Sequence, residues 1–150
     1  GDSRSRVAAN RRLLESALPA GAALSWLTQV HGTQVLEAGR GGEDPEADGQ
    51  WSRRAGVACA VLTADCLPVL FCSLAGDVVA AAHAGWRGLL AGVLEATVNE
   101  MHTEPHDILA WLGPAIGPTA FEVGPEVRPG EDSSGGIGYS PHFWWSMLYI

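Results

Sequence analysis

Apolar residues in this chain come in short runs, each closed by a glycine, a proline or a polar side chain. No run approaches the roughly 20 residues needed to span a bilayer. The pattern instead favours short buried strands and a few helices. Residues 57–62, 68–71 and 78–83 are apolar enough to be buried strands, and 108–112 reads as another. Residues 26–30 and 34–38 read as two shorter strands joined at His31, Gly32 and Thr33. Helical spacing over 7–18 places Val7, Leu14 and Leu18 on one face. The same spacing over 88–101 aligns Leu90, Leu94, Val98 and Met101 in one helix. Residues 39–50 are polar and glycine-rich, as a loop would be. Strands and helices mix without a regular βαβ rhythm, which predicts an α+β architecture.

At 150 residues the chain is long enough to bury a core as one domain, and 47% hydrophobic with 17% charged residues is an ordinary globular composition. The formal charge is -8, and all 9 basic residues are arginine. An acidic surface repels phosphate backbones, so nucleic acid is not an expected partner. A small anion held by one or two arginines remains compatible with that charge. The start, GDSR, is unlike a signal peptide. The expectation is a soluble cytoplasmic protein with no membrane partner. Three cysteines without a CxxC pair fit neither a disulfide framework nor a zinc ribbon. Cys59 and Cys72 read as reduced core thiols.

Three polar residues stand at the ends of apolar segments: His31, Cys66 and His83. Functional groups are often presented at such positions. Imidazole and thiolate are good zinc ligands, and three protein ligands leave a fourth position open for water or substrate. Spacings of 35 and 17 positions match no zinc-finger pattern. From the residues alone, a hydrogen-bonded structural histidine and a core cysteine are the commoner reading. A metal-free Cys–His nucleophilic pair is a further alternative. Arg87 lies between Gly85 and Gly88 where a strand passes into a helix, so its guanidinium and the helix start could hold phosphate. Trp86 could stack on a purine or simply fill the core. Asp65, just before Cys66, is a candidate general base or ligand-orienting group. Asp48 and Glu122 are weaker candidates of the same kind. His102, His106 and His142 read as solvated surface groups.

The stretches WLTQVHGTQV (26–35), TADCLPVLF (63–71), AAHAGWRGLLAGV (81–93) and WLGPAIGPTAFEVGPEV (111–127) resemble the laccase-domain (YfiH-like) family. The opening GDSRSRVAANRRLL (1–14) is similar to that family's first segment. The resemblance implies a mixed β-sheet sandwich covered by helices. It also implies a zinc site made by His31, Cys66 and His83, with copper as the alternative metal; Cys66 and His83, with Asp65 and Arg87 as read from the residues above, make up the expected catalytic set. The implied activity is phosphorolysis of adenosine, inosine, guanosine or methylthioadenosine, with accompanying adenosine deamination. Purine nucleoside and phosphate would be the binding partners, with no nucleotide cofactor. Copper-dependent oxidation of polyphenols, hydrolysis of peptidoglycan precursors by a Cys–His pair, and an inactive truncated relative are the competing implications. Family members run on for about a hundred further residues, still within the size of one domain. By that comparison the chain resembles a member shortened at both ends. Residues 1–128 would form the catalytic core, and 129–150 a Gly/Ser-rich and aromatic tail without counterpart.

Overall fold

A computed structural model describes residues 3–117 and 119–122. The chain divides into two units, Gly1–Ala115 and Ile116–Ile150. Within the second, the described residues form a turn in which Ala120 N–H and Phe121 N–H donate to the Gly117 carbonyl. The tail expected at 129–150 lies outside the described residues, as does His142.

The first unit is an α+β fold, as the sequence predicts. Its elements in order are α1 (Arg4–Ser16), β1 (Ala23–Ser25), β2 (Val35–Glu37), β3 (Gly49–Ser52), β4 (Val57–Cys59), β5 (Leu67–Ser73), β6 (Val79–Ala84), α2 (Trp86–Ala91), α3 (Val93–Glu100) and β7 (Ile108–Leu112). Five strands form a mixed sheet in the order β2-β3-β6-β5-β7, and β1 pairs with β4 in a small parallel sheet.

Strand alternation sends successive side chains to opposite faces. On one face Leu67, Val69, Phe71, Ala80, Ala82 and Ala84 pack with Val93 and Met101 into the core. α3 lies against this face, close enough that a Cβ on Gly49 would sit 2.9 Å from Thr97 Oγ1. Only glycine allows that approach. The opposite face of β3 carries Gln50, fully buried, whose amide donates to the carbonyls of Ser25 and Ala60. These two bonds tie the small sheet to the large one. They also satisfy carbonyls that burial would otherwise strand, at a cost of several kcal/mol in the worst case (~1–3 for each from mutational data).

Five expectations need correction. The strand expected over 57–62 covers only Val57–Cys59, which is half-buried rather than buried, and Leu62 is exposed. Residues 26–30 are not a strand; β1 ends at Ser25, and only Thr28 makes an isolated bridge, to Glu46. The loop expected at 39–50 ends early because Gly49 and Gln50 begin β3, a central strand. The helix expected over 88–101 is two helices, broken at Gly92, where φ is 95° and the left-handed conformation ends α2. Finally, Cys59 and Cys72 are half-buried rather than in the core, and line an open apolar groove with Leu70, Val79, Leu109 and Trp111. The helix expected at 7–18 is present from Arg4, but buries no residue. It is held instead by Arg11, which pairs with Asp44 at 2.9 Å and stacks on Trp26. No helix among the described residues is long and apolar enough to cross a membrane.

Candidate metal centre

β6 carries His83 near its C-terminal end, opposite Pro68 of the antiparallel β5. Cys66 immediately precedes β5, so the antiparallel register brings it beside the end of β6. His31 sits in the turn before β2 with φ 61°, a left-handed conformation uncommon for a residue with a Cβ. The three meet. One ligand atom from each of His31, Cys66 and His83 lies within 4.8 Å of the other two. The imidazoles of His31 and His83 meet edge to face, centroids 4.8 Å apart.

A zinc ion bound tetrahedrally at about 2.0–2.3 Å per ligand would hold these atoms about 3.3–3.8 Å apart. Closing from 4.8 Å requires the side chains to draw in by about 1 Å, within reach of small rotamer adjustments. His83 is buried, Cys66 half-buried and His31 exposed, so the cluster opens to solvent on the His31 side. Gly85 forms its floor. A Cβ there would lie 2.9 Å from His31 Cδ2 and 3.0 Å from Cys66 Sγ. The donor set and the cleared space both fit a metal ion with one open position.

Asp48 organises this cluster. Its carboxylate is fully buried and lies 2.8 Å from His83 Nδ1 through Oδ1. The same group accepts from the backbone N–H groups of Val30 at 3.1 Å, His31 at 2.9 Å and Gly32 at 2.7 Å. Burial pushes its carboxyl up, but the His83 ring and the Gly32, Val30 and His31 N–H groups together more than offset this, leaving it below the ordinary range. Sequence reasoning weighs Asp48 only as a weak candidate, because an acid in a Gly-rich stretch looks like a turn residue. The usable signal is the two-residue alternation Asp48, Gln50, Ser52 of polar groups on one strand face, all buried.

Burial pushes the Cys66 thiol up, and the negative charges of Asp65 and Asp48 push it further. A neighbouring cation is therefore what would hold Cys66 as a thiolate.

The other expected residues are less drawn in. Asp65 is exposed beside Cys66. Arg87 is exposed on α2, its guanidinium 4.3 Å from the centroid of the Trp86 ring. Trp86 is half-buried under that stack and is not a core residue. α2 spans 6 residues, too short to supply much helix dipole, so any anion role falls on the guanidinium. His102 and His106 are exposed, as expected. Glu122 is exposed and belongs to the second unit.

Known proteins share this arrangement of sequence and fold. Residues 1–134 match the multi-copper polyphenol oxidoreductase laccase family. The purine nucleoside phosphorylase YfiH of Escherichia coli K12 is 57% identical over 129 residues, covering 85% of this chain and 53% of the relative. A purine nucleoside phosphorylase of Pseudomonas aeruginosa is 61% identical over 108 residues, covering 69% of this chain and 43% of the relative. The crystal structure of Neisseria meningitidis protein NMB0706 superposes with a TM-score of 0.79 at 49% identity, covering 85% of this chain and 52% of that one. The chain thus spans about half the length of the curated relatives it matches. On the extent of the match and the agreement of fold, the chain belongs to the multi-copper polyphenol oxidoreductase laccase family.

Proposed function

We propose that this chain carries the metal-binding part of a purine nucleoside phosphorylase, with zinc held by His31, Cys66 and His83. The observation that supports it best is the convergence of those three side chains from separate segments on one open, glycine-floored space. The names of the E. coli and P. aeruginosa relatives point to the same reaction. When bound, zinc would supply a Lewis acid able to orient a substrate oxygen or lower the pKa of a water, which suits phosphorolysis and also adenosine deamination.

In phosphorolysis an oxygen of phosphate bonds to ribose C1′ while the C1′–N bond to the purine breaks. The products are ribose 1-phosphate and the free base, which takes up a proton. Arg87 meets the phosphate: its planar guanidinium suits paired hydrogen bonds to two phosphate oxygens. Stacking on Trp86 limits the conformations that guanidinium must give up on binding. Asp65, exposed beside Cys66, handles the proton delivered to the departing base. Adenosine, inosine, guanosine and methylthioadenosine are the expected substrates. The low exposure of His83 fixes one ligand, whereas exposed His31 marks the side from which nucleoside enters.

Two imidazoles and a thiolate are also the equatorial set of copper electron-transfer sites. Reduction of oxygen by a laccase needs several coppers, and the described residues bring together one cluster of ligands. Zinc is therefore the proposed metal, in a cytoplasmic enzyme with no nucleotide cofactor.

The test is release of hypoxanthine from inosine by the purified, zinc-loaded chain. Release that requires phosphate, and is lost in Cys66→Ser, is expected. A folded, zinc-loaded, full-length relative that releases no base from any of the four nucleosides contradicts the assignment.

A further inference from the structure

We infer that Asp48 is the positioning residue for both imidazoles, one carboxylate fixing the ring of His83 and the backbone turn of His31. The inference rests on the proposed metal site and concerns a residue outside the ligand set.

Five hydrogen bonds carry it. Asp48 Oδ1 lies 2.8 Å from His83 Nδ1, and a carboxylate only accepts, so the Nδ1 proton points at Asp48. The lone pair of His83 is then on Nε2, the nitrogen left to face a metal. The Asp48 backbone carbonyl also accepts from His83 N–H at 2.7 Å, so backbone and ring of His83 are both fixed by one residue. On the other side the carboxylate collects the N–H groups of Val30, His31 and Gly32. Three convergent N–H groups bent around one anion are what hold His31 at φ 61°. A left-handed residue with a Cβ is disfavoured, and hydrogen bonds to a buried charge offset that. Cys66 donates no hydrogen bond to Asp48; its place is set by β5, which begins at the next residue.

Asp48 therefore couples two ligands that are far apart in sequence. Replacing it should loosen both histidines while leaving Cys66 in place. Asp48→Asn is the informative change. Its amide keeps the shape and one acceptor, but turns an NH2 toward N–H groups that need an acceptor. Zinc affinity, measured by competition with a chromophoric chelator, should fall about 10–100-fold in Asp48→Asn. Thermal unfolding of the metal-free variant, run in parallel, separates loss of positioning from loss of fold. A cooperatively folding Asp48→Asn that binds zinc within about threefold of the parent overturns the inference.

Nitrogen-15 spectra of the imidazoles in the unaltered chain provide a second measurement that needs no variant. A proton on His83 Nδ1, with Nε2 free in the metal-free chain and shifted on zinc binding, is expected. A proton on Nε2 overturns the inference even if zinc binds. If the unaltered chain takes up no zinc, the proposed metal site fails, and the His83 tautomer still decides the role of Asp48.

Discussion

Asp48 Oδ1 and His83 Nδ1 are 2.8 Å apart, and the two side chains are 0% and 4% exposed. A charge in that position is tolerated only because every lone pair direction finds a donor. Its carboxyl is held below the ordinary range, so its stabilisation is present above the unfolded pKa of about 3.9 and is lost as pH falls through the lower folded value. Unfolding free energy, followed by urea titration, should therefore drop steeply below about pH 4. Asp48→Asn should flatten that acid limb and lower stability at pH 7 by about 2–3 kcal/mol. An unchanged acid limb would contradict the role given to the carboxylate.

Metal uptake should be linked to pH through Cys66. Burial and the charges of Asp65 and Asp48 keep it a thiol near neutrality, so binding must release its proton. Zinc affinity should rise by about tenfold per pH unit between about pH 6.5 and 8. Calorimetry in buffers of different ionisation heat reads the proton directly, and about one should appear. Cys66→Ala should abolish both the proton and tight binding.

Gly85 is predicted to be intolerant of any side chain. The added methyl in Gly85→Ala would lie 2.9 Å from His31 Cδ2 and 3.0 Å from Cys66 Sγ. Overpacking of this sort costs about 1–3 kcal/mol. Here it falls on two ligands, so zinc affinity should drop by at least about tenfold, judged by the cost of disturbing groups around a metal site. Chelator competition against the parent chain measures it.

Cys59 should be nearly inert. Burial pushes its thiol up to about 12, so at pH 8 the reactive thiolate is a minute fraction. Because the folded value is raised, the associated stability is present below the unfolded pKa of about 8.5 and is lost as pH rises toward about 12. Mass mapping after iodoacetamide treatment at pH 8 should find Cys59 labelled far more slowly in the folded chain than in urea.

The strands that could be read from sequence are those whose apolar runs are uninterrupted: β5, β6 and β7. Their ends also located Cys66 and His83, because a polar residue closing an apolar strand stands out. β3 reads as loop because Gln50 and Ser52 within it, and Asp48 just before it, are polar yet buried. The side-chain NH2 of Gln50 is held by the distant carbonyls of Ser25 and Ala60, and no local pattern announces such partners. The break at Gly92 was masked by apolar spacing that runs through it. Gly85 was visible as a close-approach glycine, but the sequence pointed its open side at an anion, whereas the fold turns it toward His31 and Cys66.

Whether His31, Cys66 and His83 share one metal ion is decided by zinc K-edge X-ray absorption of the zinc-loaded chain. One sulfur at about 2.3 Å and two imidazole nitrogens at about 2.0–2.1 Å are expected, with the sulfur lost in Cys66→Ser. A zinc shell without sulfur in the unaltered chain, or one whose sulfur survives that substitution, would contradict a site shared by the three.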